Sequence, residues 1–460
     1  MAAPAPSLSQ SMSADSKSLR IAICGAGVGG LTLALTIGTH NPQHQLDLYE
    51  AGAEISTTGA GVAVWARTFE VLQLLGLDER MKERGITLDG ADRLHTGPKF
   101  RRSDQPEAGH NFLTDAVPTG GLAMHRPDLI GLLKDSLPSN CVVHLNKRMT
   151  TYMTSSPITI HFTDGTTATA DVLVGSDGVR SATRETMFDE LARIHPEGLD
   201  GMTREDLIRC KDPVWTGTVA YRSVFSAEKL RRLDPMHPGL ENHFLALGKD
   251  RHIVSYPIAR RTLINFIAFD TIPGGEGTTF SSGKWVQDVP VAEVRELFRG
   301  WEPWMQTLLE CADTPSRWAV HVTAPLPFYS HDNVALLGDA AHAMMTHFGA
   351  GAGQAIESAY ILGRILSHPS TTPQTIGHAL QVYSAIRKPF ANGIVEKTRL
   401  MGLMYEFNAP GLYDGRRGEG EGEGLEALGE LIRREWEWVG MHGIREDWER
   451  AERMLGTVRD

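Results

Sequence analysis

Three short apolar runs, at residues 19–24, 172–174 and 334–337, each end in a glycine cluster. Each has the length of a buried strand rather than that of a helix. After the first, Gly25-Ala26-Gly27-Val28-Gly29-Gly30 leads into residues 31–39, where Leu31, Leu35 and Gly38 recur at helical spacing. A polar turn with Pro42 gives way to a second strand-like run, residues 45–49, which ends at Glu50. Strand, glycine turn, helix and an acid about 20 residues on make a βαβ unit with a dinucleotide-binding fingerprint. Its first glycines permit a tight turn, Gly30 lets helix and strand pack closely, and Glu50 suits a ribose diol.

The second run enters Gly175-Ser176-Asp177-Gly178-Val179-Arg180-Ser181. Asp177 can bond backbone or ribose groups there, and Arg180 can offer paired donors to a phosphate. A turn closed by a salt bridge is the plainer alternative. The third run enters Gly338-Asp339, then small residues, then Gly349-Ala350-Gly351-Ala352-Gly353 and a helix from about Gln354. A helix start of that kind presents N–H groups to an anion. Asp339 beside it can accept from sugar hydroxyls.

Between these landmarks, Gly59 and Gly61 precede an amphipathic helix expected over residues 65–77, while residues 88–113 read as polar and irregular, with Arg101 and Arg102 exposed. Arg126 stands at the start of a helix reaching residue 137. A cation is unfavourable there unless it reaches a phosphate or ribityl chain, a solvated surface arginine being the alternative. Residues 158–171 alternate around Asp164-Gly165 as a hairpin. From 186 to 317 the pattern changes to short β-rich segments at 215–225, 243–247, 252–256 and 263–269, which suggests an antiparallel sheet. Residues 291–311, 355–366 and 376–394 read as helices, with Pro389 expected to kink or end the last. Residues 418–424 alternate Gly and Glu as a flexible acidic linker, and 425–455 read as an amphipathic helical end broken near 440–443.

The expected architecture is α/β. A disordered tail (1–18) precedes a nucleotide-binding domain in two parts (19–185 and 318–400). A β-rich substrate domain (186–317) is inserted between them, and a helical segment (401–460) closes the chain.

Composition narrows the function. The net charge of −11 argues against nucleic acid, which needs a basic surface. No apolar run has the length of a membrane span. Cys24, Cys141, Cys210 and Cys311 are scattered without metal-like spacing, which fits a reducing, cytoplasmic setting. Cys24, inside an apolar run, reads as a buried inert thiol.

Together the three motifs resemble those of the single-component flavoprotein aromatic hydroxylases (group A FAD-dependent monooxygenases), over roughly residues 19 to 400. The salicylate-hydroxylase-like members are closest in pattern. The resemblance implies a glutathione-reductase-like βαβ domain with a parallel sheet. It places the ADP half of FAD on Gly25, Gly27, Gly30 and Glu50. It assigns Asp177 and Arg180 to FAD and NAD(P)H use, Asp339 to the ribityl chain, and Gly349, Ala350, Gly351, Ala352 and Gly353 to the flavin ring. Arg126 matches the family's arginine in its Arg-Pro-Asp-Leu setting, and Gly61 joins the cofactor set. The implied partners are FAD, NADH or NADPH, molecular oxygen and a small aromatic substrate, in a monomer or homodimer. The implied reaction is hydroxylation of a phenolic or aromatic acid through a flavin hydroperoxide, with or without decarboxylation. Dearomatisation or epoxidation of a larger phenolic or terpenoid substrate is the alternative, as is a flavin reductase or oxidase without oxygen insertion. Two departures stand out: Met345-Thr346-His347 replaces a segment where relatives commonly have proline, and Trp65-Ala66-Arg67 stands where many have Gly-Pro-Asn.

Substrate-side candidates lie on the β-rich segments. Tyr221 and Arg222 point to opposite faces by alternation, so one of them reaches substrate. The same parity puts His252 and Tyr256 on one face. Their plainer roles are sheet packing for the tyrosines and a surface ion pair for the arginine. His347 is a candidate substrate-side donor, whereas His342 reads as a structural cap.

Overall fold

The computed structural model describes residues 18–57, 61–86, 97–114, 116–117 and 121–456. The expected tail up to residue 17, Gly59 and residues 88–96 lie outside these. A six-stranded sheet runs in the order Ser330–His331, Val334–Leu336, Val172–Gly175, Arg20–Cys24, Gln45–Tyr49, Cys141–His144. All its pairings are parallel except that of Ser330–His331. Its register decides where the chemistry sits. Cys24 pairs with Gly175 and Tyr49, and Gly175 pairs with Leu336, so all three glycine loops and Glu50 leave the sheet at one carboxyl edge. Ligands of open parallel sheets bind at such an edge.

The second large sheet has eight strands, in the order Val286–Asp288, Ser316–Val322, Val214–Ser226, Leu263–Thr271, Arg251–Ile258, Phe244–Gly248, Lys99–Arg102, His110–Leu113. It is antiparallel apart from the pairing of Lys99–Arg102 with Phe244–Gly248. The polar stretch expected to be irregular therefore supplies two edge strands. Its arginines are not exposed as expected. Arg101 pairs with Glu302 at 2.7 Å, and Arg102 is buried against Asp104 and Glu421. A buried guanidinium needs carboxylates, and that need explains a second correction. Glu421 is drawn into a helix, Glu421–Trp436, where a flexible linker was expected.

Two further expectations yield to packing. The helix Ile376–Tyr405 does not end at Pro389 but continues past it, with Ile386, Arg387, Ala391 and Ile394 buried around it. Burial on that scale outweighs the ~3 kcal/mol that proline costs in a helix interior. Residues 291–311 divide into Val291–Leu297 and Pro303–Cys311, separated at Gly300 with φ +82°. The hairpin about Asp164-Gly165 forms between Ile158–Phe162 and Thr167–Ala170. Among the described residues no helix is long and apolar enough to cross a membrane.

The helix Gly351–Leu366 begins at the third glycine loop and is buried along almost its whole length. Within it, Glu357 accepts from Arg67 Nε (3.2 Å), Thr68 Oγ1 (3.2 Å) and Gln354 Nε2 (3.1 Å). Arg387 lies 3.4 Å away, and Asp447 of the last helix, Ile444–Leu455, takes Arg67 Nη2 at 2.7 Å. Removing one member of such a group leaves buried charge unpaired. Glu357→Ala is expected to destabilise the fold by about 3–5 kcal/mol, read as a lowered denaturation midpoint in urea; a loss under ~1 kcal/mol would mean that Asp447 alone suffices for both arginines.

Candidate active site

Backbone geometry at the sheet edge forms a cradle. Gly25 has φ +108°, and a Cβ there would lie 2.1 Å from the Ser176 carbonyl oxygen. A Cβ on Gly30 would lie 2.0 Å from the Gly25 oxygen. Neither position tolerates a side chain. Gly27, by contrast, faces open space; it caps the helix Val28–His40 with no side-chain hydrogen bond. That bare amino end, free of side chains, fits a pyrophosphate. Glu50 accepts from the N–H groups of Ala26 (3.0 Å) and Gly52 (2.7 Å), which holds the acid beside the turn.

At the third loop, Gly349 has φ +63°, and Gly351 opens its helix with no side-chain cap and no atom within 4 Å of a would-be Cβ. Ala350 is buried, whereas Ala352 borders the cavity described next. A Cβ on Gly353 would lie 2.5 Å from Thr68 Oγ1. These features suit a large, planar anionic cofactor lying across both loops.

A cavity of about 280 Å³ joins the third loop to the eight-stranded sheet. Arg126, the first residue of Arg126–Lys134, and Asp339 line it. The Asp339 side chain is open to the cavity but otherwise ringed by protein. This enclosure pushes its pKa up, against the pull of Arg126, Arg222 and Arg184. Arg222, His243, Tyr256 and His347 line it too, among the apolar groups of Trp65, Leu245, Phe269, Met344, Met345 and Trp436. Trp65 is fixed by a bond from its indole N–H to the Phe348 carbonyl (2.8 Å) and by an edge contact with Trp436. A Cβ on Gly61 would lie 2.7 Å from the Tyr256 hydroxyl, so glycine is what admits that ring.

Burial sets the charge states. It raises the Tyr256 phenol to about 12, opposed by Arg222, and lowers His243 to about 3. Both rings are therefore neutral near pH 7. Burial, then the proximity of His252, holds His347 well below its ordinary value. The Arg222 Nε and both ring nitrogens of His243 and His347 lack hydrogen-bond partners among the described residues. Unsatisfied polar groups converging on one cavity are characteristic of a site built for a polar ligand.

The other candidates are placed differently. Tyr221 lies on the opposite face from Arg222, as alternation requires, and its hydroxyl donates to Glu293 at 2.9 Å within a separate core. It does not border the cavity. His252 is also outside it, fully buried behind His347 and bonded to Glu406. The Asp177 carboxylate accepts from Thr183 N and Oγ1, both at 3.0 Å, and from Ser181 Oγ at 2.5 Å; it thus serves the start of Ala182–Ile194. The Arg180 guanidinium lies 3.5 Å over the Trp285 ring. His342 shares a 3.2 Å hydrogen bond with Ser358. Sequence reasoning missed His243, Met344 and Trp436. His243 follows the cavity-facing parity of its strand, a usable signal, whereas Trp436 reaches the cavity only through tertiary packing. A larger, open groove of about 950 Å³, between Met149–Met153 and Ala182–Ile194, lies away from the glycine loops.

The FAD binding domain family matches residues 18–197 and 310–398. Salicylate hydroxylase of Pseudomonas putida is 31% identical over 451 residues, covering 95% of this chain and 96% of its own. The chain is an FAD-dependent aromatic monooxygenase of this family. This monooxygenase is also 32% identical to the FAD-dependent monooxygenase str9 of Strobilurus tenacellus, over 93% of this chain and 96% of that protein. A solved salicylate hydroxylase substrate complex superposes with a TM-score of 0.78 at 28% identity, over 95% of this chain and 98% of the other.

Two outcomes follow. Gly30→Ala forces the first helix away from its turn, so FAD affinity should fall at least about tenfold, the equivalent of ~1.4 kcal/mol, read as a lower flavin-to-protein absorbance ratio. The second concerns pH. His243, His252 and His342 are each lowered to about 3 from an ordinary 6.5, with burial as the first cause. Below about 6.5 the unfolded chain binds protons at these positions while the folded protein does not, so stability falls as pH drops towards 3, by up to ~1.4 kcal/mol per pH unit per histidine. The melting temperature should hold above pH 7 and fall steeply below 6.5. A His342→Gln variant should fall less steeply.

Proposed function

We propose that this monooxygenase hydroxylates a small phenolic acid, with NADH or NADPH and O₂ as co-substrates and with CO₂ released when attack falls on the carboxylated carbon. The observation that carries the proposal is Arg222: a guanidinium with an unpartnered buried Nε bordering a largely apolar cavity. Its planar fork matches a carboxylate in two parallel hydrogen bonds. The names of the salicylate hydroxylase relatives point to the same substrate class.

FAD, when bound, supplies the oxygen-activating redox chemistry. The chain supplies position, proton control and dryness. Arg222 holds the acid group and so orients the ring. Tyr256, protonated because its phenol is pushed up, donates a hydrogen bond to the substrate oxygen. The neutral imidazole of His243, tilted against Tyr256 at 4.9 Å, can share the hydrogen bonding of the substrate oxygen, and the neutral imidazole of His347 can accept the proton of the substrate phenol. A phenolate ring is richer in electrons and more open to attack. Leu245, Phe269, Met344 and Trp436 keep water out, which limits wasteful release of peroxide.

A panel of salicylate, hydroxybenzoates and their decarboxylated phenols tests this. Phenolic acids are expected to stimulate NAD(P)H oxidation and to yield product carrying label from ¹⁸O₂. Unlabelled product would leave a reductase or oxidase. Arg222→Met should raise KM about 10- to 100-fold for the acids, the worth of a charged hydrogen bond at ~1.5–3 kcal/mol, and much less for the neutral phenols.

A further inference from the structure

Behind His347 the protein buries two more titratable groups that the reaction as drawn leaves idle. His252 and His347 have ring centroids 5.1 Å apart, and Nδ1 of His252 lies 3.0 Å from Oε1 of Glu406. Both nitrogens of His347 and Nε2 of His252 lack partners among the described residues. Glu406 lines a second cavity, of about 250 Å³, farther along the same sheet face beside Thr218 and Thr271. Met345 borders both cavities and partitions them. The second opens to solvent at the exposed pair Arg399–Glu276.

We propose that His347, His252 and Glu406 form a proton path from the substrate cavity to this second cavity. The inference rests on the phenol reading above, because the proton carried is that of the substrate hydroxyl. One substrate O–H bond breaks; each imidazole accepts a proton at one nitrogen as it gives up the proton on the other. Glu406 takes the proton from His252 and releases one to the second cavity. One proton reaches solvent, a phenolate remains, and no electrons are transferred.

Packing favours such a path. Phe269 stacks on His252 with centroids 4.2 Å apart and planes 8° off parallel, and Tyr405 closes the other side. A Cβ on Gly402 would lie 2.7 Å from Nε2 of His347, so a glycine leaves just enough space for that ring. The path requires the His347 ring to turn until one of its nitrogens meets Nε2 of His252, the nitrogen that Glu406 leaves free. Burial, with Asp250 and Asp270 nearby, raises Glu406, whereas burial lowers both histidines. All three therefore rest neutral, and a proton can pass without stranding a buried charge.

The test uses the FAD-loaded enzyme and salicylate. Stopped flow with a pH indicator reads proton release on binding, and tryptophan fluorescence reads affinity. Glu406→Gln keeps an acceptor for His252 but cannot relay a proton, so release should slow by about tenfold to hundredfold with affinity nearly unchanged. Glu406→Asp should restore part of the rate. Release from Glu406→Gln at the wild-type rate overturns the path. If the wild type still labels its product from ¹⁸O₂, the hydroxylase reading survives that result. A wild type that binds no phenolic acid loses both.

Discussion

Glu357 is the point on which the architecture turns. Its helix starts at the third glycine loop and is packed between the first βαβ unit and the C-terminal helices. A fully buried carboxylate can persist there only because Arg67, Arg387, Thr68 and Gln354 all converge on it. Such a group adds little net stability compared with well-packed apolar side chains. Its value is positional. Thr68, one of its donors, is also the residue against which Gly353 packs, so the network sets the height of the third loop relative to the cavity floor. The interaction that anchors the helix also indexes the site.

Along the cavity, charge gives way to neutrality. Asp339 offsets the like charges of Arg126 and Arg222, while Tyr256, His243 and His347 are forced neutral by enclosure. This division suits a reaction that must hold an anion at one point and move a proton at another. A charged imidazole would compete with Arg222 for the substrate's acid group. Burial prevents this without any added partner.

The glycine loops were legible in the sequence because they are local: strand, turn and helix start lie within a dozen residues. Parity told Arg222 from Tyr221 for the same reason. What failed to show was tertiary. Arg102 looks like a surface cation until Lys99–Arg102 is known to pair with a strand more than a hundred residues away. The Gly/Glu stretch looks like a linker until Arg102 claims Glu421. Pro389 breaks an isolated helix but not one packed on several elements. In each case long-range burial overrode a correct local preference.

The same logic locates this enzyme's individuality. The family match ends at residue 398, yet Tyr405, Glu406 and Trp436 lie beyond it and Trp436 lines the cavity. Trp436 donates to the Tyr405 hydroxyl at 2.9 Å and packs edge-on against both Trp65 and Phe348. Trp65 in turn bonds to the Phe348 carbonyl, immediately after the Met345-Thr346-His347 departure. Trp65 and the residue that follows Met345-Thr346-His347 are therefore in contact with each other and with the C-terminal helix. A bulky Trp65 needs a wall to pack on, and the helix supplies it. Met345 and His347 line the same cavity just before Phe348. Trp65, Phe348, Tyr405 and Trp436 form one packed unit, and removing any one of these side chains would leave the others without their partners.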